Sequence, residues 1–331
     1  MNSTEVNQIF SQFSQMRALV IGDAMVDTYL WGKVERVSPE APIPIVSVTT
    51  RENRLGGAAN VSLNIQSLGA TPILFSVVGD DDKGRKFKKL LQKNKLSCEG
   101  VFVDNERITT VKNRIISKSQ HIARVDEETT DFISTELEDQ LIEGIKKEIN
   151  QNKVDVIVFV DYDKGVVTKR LFETINELAR GKGIPTAVDP KKRNFNFYKN
   201  VNLFKPNFKE FADGTGMTLK KDDLETLKNL AEEIKKRQNF KLIFITLSEL
   251  GVFISNGLKD NYYPAVIRHI ADVSGAGDTV ISVASLALAA NVKPNIMALM
   301  SNIAGGLVCE KLGVVPVDKT QLMHVMGIQN V

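Results

Sequence analysis

Short, continuously apolar runs recur along the chain, separated by longer segments whose apolar positions repeat at helical spacing. Such runs are typical of strands that are covered on both faces of a parallel sheet. The runs that predict strands span residues 18–22, 73–78, 154–160, 186–189, 203–205 and 242–246. Crossover helices are predicted over residues 136–150, 169–183 and 224–238. This alternation predicts an α/β fold that is doubly wound, with a mostly parallel sheet and helices on both faces.

Two segments break this pattern, because polar and apolar residues alternate in them at strand spacing. They cover residues 29–50 and 109–127, and Pro39, Pro42 and Pro44 favour extended, edge-like backbone in the first. We expect them to form a small antiparallel flap that closes over a site or pairs with its copy in a homodimer. An edge extension of the main sheet is the open alternative.

Composition is that of an ordinary globular protein of 331 residues with a net charge of +3. No repeat or linker divides the chain, so a single domain over residues 1–331 is expected. The near-balanced charge predicts no nucleic-acid or membrane partner. Cys98 and Cys309 are too few and too far apart for a disulfide framework or a zinc site. With no signal peptide pattern and no apolar run of ~20 residues, a cytoplasmic location is expected.

The segment D-V-S-G-A-G-D-T at residues 272–279 has the pattern of a phosphoryl-transfer centre. Gly275 and Gly277 allow a tight turn before a helix predicted over 279–290, whose free N–H groups can hold an anion. Asp278 would lie beside this positive helix end, remain ionised near neutral pH and accept a proton from an alcohol. An ordinary helix entry is the alternative.

Two further motifs carry candidate binding residues. Residues 205–210, K-P-N-F-K-E, follow a predicted strand and have the pattern of a segment at the edge of a nucleotide-binding site. Glu210 would hold Mg²⁺ there through its water shell. The same residues also fit a capped helix start. Residues 56–60, G-G-A-A-N, and Asp27 suit a polyol pocket, although close packing of a helix on a strand also requires small residues.

The chain resembles the ribokinase-like (PfkB) carbohydrate kinase family in the content and order of four motifs, which lie at residues 56–60, 205–210, 245–251 and 272–279. The resemblance covers nearly the whole chain. It implies a phosphotransferase with an alcohol acceptor, a doubly wound sheet with a β-flap lid, ATP and Mg²⁺, and it leaves a monovalent cation open.

The resemblance also implies roles for individual residues. Asp278 resembles the catalytic base, with the amides of Gly275, Ala276 and Gly277 as the anion hole. Implied cofactor-binding residues are Asn207, Phe208, Lys209, Glu210, Thr246, Ser248, Gly251 and Asn302, with Asn207 and Glu210 on the metal side. Implied substrate-binding residues are Asp27, Gly57, Asn60, Asp161 and Lys164. To these we add Arg36, Arg114 and Lys191 as contacts to a substrate phosphate, because a dianion needs cationic donors.

Within the family, the S-P-E-A-P-I-P run at residues 38–44 is similar to that of members acting on D-glycero-β-D-manno-heptose 7-phosphate. The resemblance then implies phosphorylation of the anomeric hydroxyl to the 1,7-bisphosphate, in the synthesis of ADP-heptose and lipopolysaccharide. Asp163 and Ser274 depart from the family pattern. Because the sequence ends after the kinase motifs, a separate adenylyltransferase is expected. Phosphofructokinase, ribokinase, fructokinase, nucleoside kinase and a non-catalytic sugar-binding regulator are the alternatives.

Overall fold

The structure, a computed structural model, describes residues 2–118, 120–257, 259–266 and 269–328. Within these residues the strands are β1 (Arg17–Gly22), β2 (Ala24–Val37), β3 (Pro44–Gly57), β4 (Thr71–Gly79), β5 (Val101–Asp104), β6 (Val111–Ser117), β7 (Gln120–Glu127), β8 (Val156–Val160), β9 (Thr186–Asp189), β10 (Leu203–Phe204), β11 (Leu242–Thr246), β12 (Val252–Ser255) and β13 (Asp260–Tyr263). The helices are α1 (Ser3–Phe13), α2 (Ala58–Ser67), α3 (Asp82–Lys93), α4 (Thr135–Gln151), α5 (Lys169–Gly181), α6 (Phe208–Thr215), α7 (Leu224–Gln238), α8 (Ala276–Ala289), α9 (Pro294–Cys309) and α10 (Lys319–Ile328).

The main sheet has nine strands in the order β13-β12-β11-β10-β9-β8-β1-β4-β5. Its strands run parallel from β5 to β11, and β12 and β13 continue the sheet antiparallel at one edge. The predicted α/β class with a mostly parallel sheet is confirmed. The next strand of this sheet along the chain, β4, pairs with one side of β1, and β8 pairs with the other side. The strand order therefore reverses at β1. Ligands of such sheets bind where the strand order reverses, beyond the carboxyl ends of the strands.

Helices cover both faces of this sheet and form two apolar clusters. Alternate residues of β1 show why its sequence is continuously apolar. Ala18 and Val20 enter the cluster formed with α2, α8 and α9, whereas Leu19 and Ile21 enter the cluster formed with α4, α5 and α7. Because successive strand side chains point to opposite faces, every position from Ala18 to Gly22 is buried.

The segments predicted as a flap lie in a second sheet with the order β3-β2-β6-β7, so they do not extend the edge of the main sheet. The outer pairs are antiparallel, but β2 and β6 are parallel, so the predicted antiparallel arrangement is wrong for the central pair. The first flap segment is also longer than predicted. β2 begins at Ala24 and β3 ends at Gly57, which brings the inner end of the flap to the main sheet.

The described helices include none that is long and apolar enough to cross a membrane. Cys98 and Cys309 are both free thiols. One helix boundary matters for the site, because α8 begins at Ala276 and not at 279 as predicted. Asp278 therefore lies in the first helical turn.

Candidate active site

The carboxyl ends of β1, β8, β9, β10 and β11 meet at one edge of the main sheet, because these strands are parallel. Polar residues end or directly follow these strands, and they are Asp23, Asp161, Asp189, Lys205 and Thr246. Side chains that are far apart in sequence are thus gathered beside the start of α8. This is the crevice that the strand order predicts for a ligand.

Asp278 is buried at this edge and both of its carboxylate oxygens have partners. Asn60 Nδ2 donates to Oδ2 at 2.7 Å, and the Tyr162 hydroxyl donates to Oδ1 at 2.7 Å. Burial raises the pKa of Asp278, and the two hydrogen bonds and the charge of Lys205 oppose this rise. The helix end does not make Asp278 a stronger acid than usual, because the loss of hydration is the larger effect. A raised pKa makes the ionised carboxylate a better proton acceptor.

The turn before α8 leaves space and N–H groups for an anion. Gly275 has a φ of +80° and a Cβ there would lie 3.0 Å from Asn60 Nδ2, which explains the glycine. A Cβ on Gly277 would approach only Lys205 Nζ, at 3.7 Å. Within the described part of the chain, the Gly277 and Asp278 amides have no protein acceptor, whereas the Ala276 amide donates to Val273 O at 3.3 Å. Of the three predicted anion-hole amides, Ala276 is thus the least available.

Lys205 is a site residue that we did not predict. It is 2% exposed and its Nζ lies 3.0 Å from Asp189 Oδ2. Burial raises the pKa of Asp189 to about 7, although the charge of Lys205 lowers it. The same Nζ faces the space above Gly277. A buried ammonium group beside free helix N–H groups can stabilise a phosphoryl group.

The residues predicted to bind nucleotide and metal form the start of α6. Asn207 and Glu210 make a reciprocal capping box, with both hydrogen bonds at 2.8 Å, so the capped-helix alternative describes their local structure. Glu210 also forms an ion pair with Lys191. Phe208 packs against the apolar core, and Lys209 is exposed.

Both Glu210 oxygens have partners, Lys191 at one and the Asn207 amide at the other, so the binding of Mg²⁺ through its water shell stays a prediction. No group of three or more acidic, histidine or cysteine ligands occurs in the described residues. Mg²⁺ is often held by one or two carboxylates together with phosphate oxygens of a substrate. Glu210 can supply one such carboxylate.

The residues predicted along the ATP cleft lie at the far end of the same edge. Thr246 ends β11 and pairs with Asn207 in an isolated parallel β-bridge. Ser248 begins a short turn and has a φ of +56°. Gly251 has a φ of +99°, and a Cβ there would lie 2.0 Å from Tyr263 O. Asn302 Nδ2 donates to Pro264 O at 2.8 Å. Thr246 thus adjoins Asn207, whereas Asn302 holds a loop.

On the acceptor side, the inner end of the flap contributes Asp27 and Gly57. Asp27 is buried in an ion pair with Arg114. Gly57 has a φ of +58°, and a Cβ there would lie 2.3 Å from Asp23 O, so the close approach of the flap to β1 requires glycine. Asn60 follows in the first turn of α2 and contacts Asp278.

The loop after β8 is held by buried acids. Asp161 accepts hydrogen bonds from the Tyr198 hydroxyl at 2.8 Å and from Asn194 Nδ2 at 3.0 Å. Burial raises the pKa of Asp161 to about 6, and the charge of Asp23 adds to this rise. Asp161 thus supports the loop, whereas Lys164 pairs with Glu128 at 2.9 Å. Substrate contact by Asp161 and Lys164 stays a prediction.

The three cations predicted for a substrate phosphate are not brought together. Arg36 is exposed on the outer part of the flap, nine residues beyond Asp27, which is about 30 Å along an extended strand. Within the described chain Arg36 contacts none of the other candidate substrate residues, and its contact to a substrate phosphate stays a prediction. Arg114 is neutralised by Asp27, and Lys191 pairs with Glu210.

A different cation, Lys112, does face the acceptor side. It lies on β6 beside Asp27, and its Nζ is 5.1 Å from the centroid of the Tyr162 ring. Burial lowers the pKa of Lys112, and the charge of Asp27 raises it. We did not predict it, because the sequence does not show which flap residues face inward.

Comparison with known proteins agrees with this geometry. The model of the pfkB family carbohydrate kinases matches residues 15–320. The chain belongs to this family. It is therefore a phosphotransferase with a hydroxyl group as acceptor, and ATP is the phosphoryl donor that membership implies. The predicted homodimer and the monovalent cation stay predictions.

Among its relatives are the bifunctional protein HldE of Geotalea uraniireducens, 37% identical over 329 residues, and that of Aliarcobacter butzleri, 38% identical over 295 residues. The matches cover 99% and 89% of this chain but 66% and 61% of the relatives, so the chain spans less than two thirds of their length. A phosphofructokinase-2 structure from Escherichia coli with substrates and products has a TM-score of 0.78 at 18% identity, with 94% and 98% of the two chains covered. A ribokinase from Arabidopsis thaliana with ribose and ATP has a TM-score of 0.73 at 15% identity, with 95% and 99% covered. These structures share the fold.

The open space above Gly277 leads to a first prediction. Gly277→Ala should stabilise the fold by up to about 1 kcal/mol, because alanine is the better helix former in α8. It should also lower kcat at least about tenfold, because the methyl group occupies the space between the helix N–H groups and Lys205. Thermal unfolding and ADP release measure the two effects. Unchanged kcat in a stabilised variant would show that no phosphoryl group passes this point.

Proposed function

We propose that this kinase phosphorylates the anomeric hydroxyl of D-glycero-β-D-manno-heptose 7-phosphate and forms the 1,7-bisphosphate. The observation that carries the kinase chemistry is the buried Asp278 carboxylate, held between Asn60 and Tyr162 at the start of α8. The choice of heptose is supported by the S-P-E-A-P-I-P run and by the similarity to bifunctional HldE proteins. A role in the synthesis of ADP-heptose follows from that choice.

In the proposed reaction, Asp278 accepts the proton of the anomeric hydroxyl. The anomeric oxygen attacks the γ-phosphorus of ATP, a new P–O bond forms, and the bond between the γ-phosphorus and the bridging oxygen breaks as ADP leaves. The N–H groups of Gly277 and Asp278 and the ammonium group of Lys205 stabilise the charge on the transferred phosphoryl group. Positioning and electrostatics thus supply most of the catalysis.

Glu210 and Asn207 are the residues that would hold Mg²⁺ through its water shell. The ion, when bound, neutralises charge on the phosphate oxygens of ATP. Lys191, which pairs with Glu210, then lies between this metal side and the acceptor side, because its Nζ is also 5.1 Å from the centroid of the Tyr162 ring.

Lys112 supports an acceptor that already carries an anionic group. Its ammonium group forms no ion pair with a carboxylate among the described residues, and Arg114 beside it is already neutralised by Asp27. An inward-facing cation without an ion-pair partner favours binding of a phosphate dianion. Lys112 is therefore the cation that we propose for the contact to this phosphate.

The function is tested by ADP release with Mg-ATP across a panel of acceptors. The panel contains heptose 7-phosphate, the same heptose without phosphate, fructose 6-phosphate, ribose, fructose and adenosine. We expect the largest kcat/KM with heptose 7-phosphate, and a value at least about tenfold lower without the phosphate, because one charge-assisted contact contributes about 1.5–3 kcal/mol.

A preference for another acceptor would contradict the heptose assignment and leave the kinase chemistry intact. No turnover with any acceptor would favour a non-catalytic sugar-binding protein. The panel thus separates the proposed substrate from both classes of alternative.

A further inference from the structure

We infer that Tyr162 is a positioning residue that holds the Asp278 carboxylate in its reactive orientation and connects it to the flap and to the loop after β8. The inference rests on the proposed role of Asp278 as the base. Its starting point is the 2.7 Å hydrogen bond from the Tyr162 hydroxyl to Asp278 Oδ1.

The two partners of the carboxylate differ in what they can do. Asn60 can only donate through its Nδ2, and its side-chain oxygen is itself held by Asn64 Nδ2 at 3.3 Å. The Tyr162 hydroxyl can rotate and either donate or accept. Oδ1 can therefore take up the proton of the acceptor and then donate it in a hydrogen bond to the Tyr162 oxygen, while Oδ2 keeps its bond to Asn60.

Tyr162 is fixed by its own backbone. Its amide donates to Asp23 Oδ2 at 2.8 Å, and the same buried carboxylate accepts from the amides of Lys164 at 3.1 Å and Val166 at 3.0 Å. Three amides of one loop thus converge on a single acid that directly follows β1. This arrangement fixes the position of the Tyr162 ring relative to the main sheet.

The ring of Tyr162 lies between two cations from different parts of the molecule. Lys112 comes from the flap strand β6, and Lys191 comes from the segment after β9, each with its Nζ 5.1 Å from the ring centroid. Cation–π contacts of this kind favour an ordered ring. Any movement of the flap that shifts Lys112 therefore acts on the group that orients the base.

The groups around Asp278 determine how removal of the Tyr162 hydroxyl changes the pKa of this acid. The ionised carboxylate faces Tyr162 and Asn60 as donors, Lys205 as a cation and Asp27 as a second acid. Burial keeps the hydroxyl of Tyr162 protonated, because it raises the pKa of this group well above its usual value. Since a hydrogen bond to the charged form lowers the pKa of an acid, removal of the hydroxyl should raise the pKa of Asp278 further.

The test compares Tyr162→Phe with Tyr198→Phe. Tyr198 makes the same kind of bond, from its hydroxyl to Asp161 at 2.8 Å in the same loop, but it does not contact Asp278. For wild type and both variants, kcat is measured against pH with the acceptor that gives the highest turnover in the panel. Titrations of ATP and of the acceptor are common to all three proteins and cancel in the comparison.

In Tyr162→Phe we expect the acidic limb of the kcat profile to shift to higher pH by about one unit. The kcat on the alkaline plateau should fall by less than about tenfold. The limb of Tyr198→Phe should coincide with that of wild type, even where thermal unfolding shows a loss of stability. The inference would be overturned if the acidic limb of Tyr162→Phe lay at the same pH as that of wild type. It would also be overturned if the limb shifted by the same amount in Tyr162→Phe and Tyr198→Phe.

Asp278→Asn separates this inference from the proposed function. Loss of turnover in Asp278→Asn together with an unmoved limb in Tyr162→Phe overturns only the role of Tyr162. Retained turnover in Asp278→Asn overturns the base assignment and the inference that depends on it.

Discussion

Asp278→Asn should lower kcat by about 10²–10⁴-fold, the usual contribution of a general base, and leave the Kd for ATP nearly unchanged. The amide cannot accept the proton of the acceptor hydroxyl. It can still accept a hydrogen bond from Asn60 and donate one to the Tyr162 hydroxyl, so the local structure should survive. ADP release measures kcat, and calorimetric titration measures ATP binding.

Asp82→Asn is the matched control, since Asp82 also lies in the first turn of a helix but is exposed and pairs with Arg85. This control should retain wild-type kcat. Turnover of Asp278→Asn close to that of wild type would show that another group removes the proton.

The second large effect is expected at Lys205. Lys205→Met should lower kcat by about 10²–10³-fold, because it removes a buried cation from the space where charge develops on the phosphoryl group. Asp189 then loses its ion-pair partner, but its pKa of about 7 allows it to become protonated instead of remaining a buried charge. ADP release and thermal unfolding are measured together.

Lys236→Met is the matched control, because Lys236 is exposed on α7 and has no proposed role in the site. It should leave kcat within about twofold, as expected for a surface substitution. A folded Lys205→Met protein with wild-type kcat would contradict the assignment of Lys205 to the phosphoryl group. A loss of similar size in Lys236→Met would contradict it as well.

Strong, repeated patterns made much of the fold predictable. The bounds of β9, β11 and α7 agree with the prediction, because each has a clear apolar pattern bounded by polar residues. β12 and β13 were missed, since four-residue strands give little periodicity.

The site shows where sequence reasoning ends. Asp278, Asn60 and the glycine turn were predicted from motifs, and the structure brings them together. Lys205 stands inside the K-P-N-F-K-E motif, and Tyr162 directly follows the predicted residue Asp161, but neither was assigned, because burial and mutual distance decide their roles. A lysine directly after a short buried strand was the available signal for Lys205. The outer position of Arg36 was not predictable, because the sequence did not show that β2 extends over 14 residues.

The most direct test of the central claim is the position of the new phosphate in the product. The protein is incubated with Mg-ATP and heptose 7-phosphate, and phosphorus–proton correlation NMR is recorded on the purified product. We predict two phosphate signals, one of them coupled to the anomeric proton. A new phosphate on any other carbon, or no product from this sugar while another acceptor in the panel is consumed, would contradict the account.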